Sequence, residues 1–188
     1  MAMAIFGVMP LSQTMAQEHQ EGHDADGSMT HYNADFDQMA SKFVELAEAM
    51  PADQYSWRPM EGVRSVSEVF MLIVAENYVV PSAWGVGAPE GTPGGMEAFS
   101  TLAEVTDKAE VVRHLRESSA HFQHAVGSLD AEKMQSEIEF FGRTRSVMEA
   151  VYLIAGDMHE HLGQAIAYAR MHEVVPPWTA RQQANQGN

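Results

Sequence analysis

Ser65-Val66-Ser67-Glu68 opens the apolar run Val69-Phe70-Met71-Leu72-Ile73-Val74-Ala75-Glu76-Asn77, and Ser146-Val147-Met148-Glu149 opens a second run that continues to about His172. In each, the serine hydroxyl is placed to accept from the backbone N–H three residues on, while the glutamate reaches back to the serine N–H. That spacing is a capping box and predicts two helix starts. The first of these helices extends to about Trp84, with Val66, Val69, Phe70, Ile73 and Asn77 on its inner face. Working outward, Phe36, Met39, Phe43, Leu46, Ala47 and Met50 recur at helical spacing from about Asp35, and Pro51 ends that stretch. Between the two capping boxes, Val111, Leu115, Phe122, Val126 and Leu129 mark another helix from Thr106 to about Leu129, preceded by an irregular loop from Gly85 to Gly95. Ile138 to Phe141 is the best candidate for a strand, but it is short and finds no partner. Four helices, each with one apolar stripe, predict an all-α fold: an antiparallel four-helix bundle whose stripes face a shared axis.

A chain of 188 residues suits one domain with tails. It has no cysteine, which excludes disulfides, thiolate metal sites and a cysteine nucleophile. Eleven Lys and Arg stand against 26 Asp and Glu, a formal charge of −15, so a phosphate backbone is repelled and nucleic acid is not an expected partner.

The long apolar stretch is Met1 to Leu11, too short to span a bilayer and followed by Thr14-Met15-Ala16, small residues suited to signal cleavage. Residues 1–16 are therefore expected to be a signal peptide. The mature chain then starts at Gln17 without a transmembrane helix, in the periplasm or secreted; no Lys or Arg precedes the run, so the cytoplasm is the alternative. Residues 17–33 are Gly, Asp, Glu and His with almost nothing apolar, which predicts a polar linker. His19, His23 and His31 lie in it, but Gly22 and Gly27 leave them unorganised for metal capture. The domain is expected over 34–178 and a disordered tail over 179–188.

Tyr55-Ser56-Trp57-Arg58-Pro59-Met60-Glu61-Gly62-Val63-Arg64-Ser65 resembles the Tyr-x-Trp-Arg-Pro-x-x-Gly-x-Arg-Ser approach to the second helix of the DinB-like superfamily of metal-binding four-helix bundles. Glu160-His161-Leu162-Gly163-Gln164, with Tyr168-Ala169-Arg170 and Pro176-Pro177, resembles the same family's fourth helix and its exit. Trp57, large and apolar beside Pro59, is expected to plug one end of the bundle. The resemblance implies three histidine ligands for a divalent metal, one on the second helix and two on the fourth. Flanking residues place them at Leu72, Asp157 and His161, of which only His161 is a histidine.

His159 cannot replace the missing imidazole, since residues two apart on a helix point about 200° from each other. Asp157 and His161, four apart, share a face, and Glu76 lies one turn beyond Leu72. Glu76, Asp157 and His161 with water would make a remodelled zinc, nickel or manganese site; without a metal, Asp157 and His161 would orient each other by hydrogen bonding. His121 and His114, on one flank of the third helix, sit either toward this cavity or on the surface shoulder. Asn77, in mid-stripe, needs a buried partner or a ligand.

Two functions follow. One is a non-catalytic module with no assured cofactor and no catalytic residue, binding a small molecule, an envelope protein or a second copy of itself. The other, implied by the resemblance, is a divalent-metal-dependent hydrolase or thiol transferase. Leu72 and Asp157 favour the first.

Overall fold

The computed structural model describes residues 18–187, with side chains from Met29 onward. The expected signal peptide, its cleavage site and the side chains of His19 and His23 lie outside the described residues. The chain divides into two compact units, Met1–Asp35 and Phe36–Asn188. Of the first, the described part is helix.

Helix α1 spans Glu18–Ala49, so helix replaces the expected linker and begins well before Asp35. Once a helix is nucleated, each added residue gains a backbone hydrogen bond, and polar residues can extend it without a core of their own. From Phe36 on, its predicted stripe is the buried one: Phe36, Met39, Phe43, Leu46, Ala47 and Met50 are all core residues. The bundle is completed by α2 (Val66–Val79), α4 (Lys108–Gly127) and α6 (Val147–Met171), with a short α3 (Glu97–Ala103) after the glycine-rich loop. A 3-10 turn, Val80–Trp84, prolongs α2.

Both capping boxes form, at Ser65 and Ser146. The start of α2 is held by more than its box. Val66 N–H donates to the Trp57 carbonyl and Ser67 N–H to that of Tyr55, so the orphan donors of the first turn are satisfied by the preceding aromatic segment. Tyr55 in turn donates its hydroxyl to the Ala47 carbonyl (2.6 Å), near the end of α1. Lys108 Nζ closes that end by donating to the carbonyls of Glu48 and Met50. Trp57 is only half-buried and stands edge-on to Tyr168 of α6 and to His172 just beyond it, so it packs beside the bundle end instead of plugging it.

α2 is the central helix. It is buried nearly all round, including Met71, Val74, Ala75, Glu76 and Tyr78 beyond the predicted face. Val66–Trp84 is in fact long and apolar enough to cross a membrane by length and composition, but 72% of that window is buried within the protein. A helix surrounded by partners is apolar on every side.

Three further departures from expectation have local causes. Glu137–Phe140 (β1) does find a partner, Arg143–Ser146 (β2), in an antiparallel hairpin. The hairpin turns on Phe141 and Gly142, both at positive φ (47° and 73°), as a two-residue turn with the strands' own twist requires. A five-residue α5 (Ala131–Gln135), capped by Asp130, precedes it. The expected tail is α7 (Pro177–Gln186), held to α1 by the Arg181–Glu45 ion pair at 2.9 Å and by Lys42 over the Trp178 ring.

Candidate functional site

Glu76 sits in mid-α2, 8% exposed, and its carboxyl lies against that of Asp157 on α6. Two bare carboxylates cannot be held together in a dry interface, and Glu76 Oε2 and Asp157 Oδ2 are indeed both buried without a hydrogen-bond partner. A shared proton resolves the conflict. Burial first, then the Asp157 charge and a hydrogen bond to it, push Glu76 up to about 9, opposed only by the Arg64 guanidinium. Both causes favour the protonated form of Glu76.

Asp157 also faces His161, one turn along α6, with Oδ2 3.4 Å from Nε2, a contact too long for a good hydrogen bond. The other ring nitrogen is firmly placed. His161 Nδ1 lies 3.0 Å from Gln164 Oε1, Gln164 Nε2 donates to the Tyr168 hydroxyl (2.9 Å), and that hydroxyl donates to the Arg64 carbonyl (3.1 Å). With the amide oriented by Tyr168, Nδ1 must carry a hydrogen and donate it, which turns Nε2 toward Asp157. Orientation of a histidine through its second nitrogen is how metal and proton-transfer sites hold their imidazoles. The sequence reading gave Gln164, Tyr168 and Arg64 no role. The signal was present, since positions 161, 164 and 168 fall on one helical face.

The three expected site residues thus form a chain, Glu76 to Asp157 to His161, in place of a convergent set. Leu72 contributes no donor; it is half-buried and lines a cleft. Among the described residues no group of three His, Cys, Asp or Glu side chains is placed to hold a metal ion. A divalent ion needs three or more donors aimed at one point, and here one of the three positions is aliphatic. The residues present do not fit the three-imidazole site that the resemblance implied.

His159 is exposed on the far side of α6, as helix phase requires. His121 does not join the acid pair: its ring packs against Tyr78, 5.7 Å between centroids. His114 lines a separate cleft with Tyr78 and Glu117. Burial lowers the affinity of both rings for a proton. Asn77 is fully buried and donates to Ser118 Oγ on α4 (3.2 Å).

The cleft beside the relay has a volume of about 620 Å³, within the range of small-molecule sites. Its walls include Leu72 of α2, Phe99 and Ala103 of α3 and Gln164 of α6, and its rim is the loop bearing Arg58, Gly62, Val63 and Arg64. Arg58 stiffens that loop by donating to the Val63 carbonyl (2.9 Å) and to Glu68 Oε1 (3.1 Å). Burial would raise the Glu68 carboxyl, but the Ser65 N–H and Arg58 together hold it below the usual carboxylate range.

Comparison with known proteins agrees with this architecture. A DinB-like protein of Bacillus cereus aligns over 74% of this chain and 89% of its own, at 16% identity and a TM-score of 0.62. The DinB-like protein YjoA of Bacillus subtilis aligns over 77% and 94%, at 19% identity and a TM-score of 0.60. YfiT of Bacillus subtilis, described as a probable metal-dependent hydrolase with an unusual four-helix bundle topology, aligns over 90% and 95%, at 14% identity and a TM-score of 0.62. At these identities the likeness is one of fold. No curated protein sequence matches. The family model of the DinB superfamily matches residues 35–165, well over half of the chain, and the protein belongs to that superfamily.

Proposed function

We propose that this protein is a small-molecule-binding member of the DinB superfamily, working without a metal-dependent reaction at the mouth of its bundle. What carries it is the buried Glu76 carboxyl set against Asp157 beside an aliphatic Leu72: burial and the neighbouring carboxylate favour the protonated form of Glu76, and Leu72 offers an ion no donor. The intact cleft next to them supports retention of a binding role.

Calorimetric titration with zinc, nickel and manganese near neutral pH tests this. The unmutated protein is expected to bind weakly or not at all, and Leu72→His combined with Asp157→His to bind tightly, since three imidazoles plus water complete a catalytic-type site. His161→Ala in the double variant is the control and should abolish that binding.

A second reading rests on the same two unpartnered oxygens and on the fixed tautomer of His161. In it a divalent ion displaces the shared proton, and Glu76, Asp157 and His161 hold it for hydrolysis or thiol transfer, in keeping with the description of YfiT. Stoichiometric, submicromolar binding by the unmutated protein that vanishes in Glu76→Ala would establish this reading and overturn the first.

Export to the cell envelope is also part of the proposal, supported by the apolar run before Thr14-Met15-Ala16. Mass spectrometry of the native protein should find an N-terminus near Gln17; an intact N-terminus in a cytoplasmic fraction would reject export.

A further inference from the structure

The cleft has a charge of its own, opposite to that of the chain. Three charged groups line it, Arg58, Arg64 and Glu68. Arg58 and Glu68 neutralise each other at 3.1 Å. The Arg64 guanidinium is exposed and has no hydrogen bond or ion pair among the described residues, although its backbone carbonyl is fixed by Tyr168. In a protein of net charge −15, the rim of this cleft therefore carries a guanidinium whose N–H donors are not used within the described residues.

A second donor is in the lining too. Gln164 uses its Oε1 on His161 and one N–H on the Tyr168 hydroxyl, and an amide nitrogen has two hydrogens, so one N–H remains for a ligand. The lining also includes apolar side chains, Leu72, Phe99 and Ala103. Leucine at 72 thus supplies a greasy floor at the position where the family resemblance expects a ligand histidine.

We infer that the cleft binds a compact organic carboxylate, its anionic head taken by Arg64 and the spare N–H of Gln164, and its hydrocarbon body laid on Leu72 and Phe99. Guanidinium is suited to this because its planar fork matches a carboxylate in two parallel hydrogen bonds. The net negative charge of the chain repels anions in general, so the Arg64 rim is where such a molecule is both attracted and partly desolvated. This inference rests on the ligand-binding function proposed above and gives that ligand its chemical class.

Three probes of one length and a shorter one separate the contributions: hexanoate, hexanol and hexylamine, and acetate, each titrated by calorimetry or by protein-detected NMR shifts. Hexanoate should bind at least about tenfold more tightly than hexanol or acetate, and hexylamine should not bind. Arg64→Gln should cost hexanoate about tenfold and leave hexanol unchanged, with the thermal midpoint confirming an intact fold, since the Arg64 side chain makes no bond in the protein. Raising the salt concentration should weaken hexanoate but not hexanol. Equal binding of hexanoate and hexanol, unaffected by Arg64→Gln, would overturn the carboxylate inference while leaving a ligand-binding cleft. Failure of every probe to bind at millimolar concentration would overturn the inference and the ligand-binding function together.

Discussion

Glu76 and Asn77 are consecutive residues of α2, both buried, both polar, and they solve the same problem in opposite directions. Asn77 points to α4 and donates to Ser118 Oγ; Glu76 points to α6 and meets Asp157. An uncharged amide can be placed between helices for the cost of matching its hydrogen bonds, and even here its Oδ1 remains without a partner. A carboxyl cannot be placed so unless it keeps a proton, and keeping it makes the interface sensitive to pH. The α2–α4 contact is therefore a fixed joint, whereas the α2–α6 contact, which borders the cleft, is one that a proton or a cation can change.

Stability followed against pH separates the two joints most strongly. Glu76 ionises near its ordinary value of 4.5 in the unfolded chain and at about 9 in the folded one, so the folded state holds a proton that the unfolded state has lost. A raised folded pKa stabilises fully below the unfolded value, and the advantage is lost as pH rises through the folded value. Urea unfolding should show stability falling steadily from about pH 4.5 to about pH 9, by an amount on the order of several kcal/mol. Glu76→Gln keeps the shape and the hydrogen bond to Asp157 without the ionisation and should flatten that decline. A decline of equal slope in both proteins would show that Glu76 is not the group that holds the proton.

How far the sequence disclosed this arrangement differs from one region to the next. The four main helices were legible because their signals are local: two capping boxes, the Pro51 stop and an apolar stripe at helical period. The hairpin was hidden because Arg143-Thr144-Arg145-Ser146 contains nothing apolar, and its turn places a phenylalanine, Phe141, where glycine or asparagine would announce it. The position of α7 was hidden because its hold on α1, Arg181 with Glu45 and Trp178 under Lys42, joins residues far apart in sequence. For the site, helix periodicity sufficed to place Asp157 and His161 on one face and His159 off it. It could not show that Glu76 touches Asp157, since that depends on the phase of α2 against α6. Nor could it show the cleft, since Phe99 belongs to a seven-residue helix in a stretch to which the sequence reading assigned no element.

A smaller effect is expected at the α2–α4 joint. Asn77→Ala removes a single hydrogen bond and a few side-chain atoms from a fully buried position, and leaves Ser118 Oγ able to donate to the Leu115 carbonyl (3.4 Å). The loss of a neutral buried hydrogen bond typically costs about 1 kcal/mol, and the small void left behind adds to it. Against this, the substitution also removes Oδ1, an acceptor that α4 does not satisfy, which returns part of the cost. The net effect should be about 1 kcal/mol, far below the several that charging Glu76 exacts. It should also be the same at pH 5 and pH 9, because neither Asn77 nor Ser118 titrates. Urea melts of Asn77→Ala at the two pH values decide this. A penalty that grows with pH would mean that Asn77 braces the acid pair next to it, and that the α2–α4 and α2–α6 contacts act as one network instead of two independent joints.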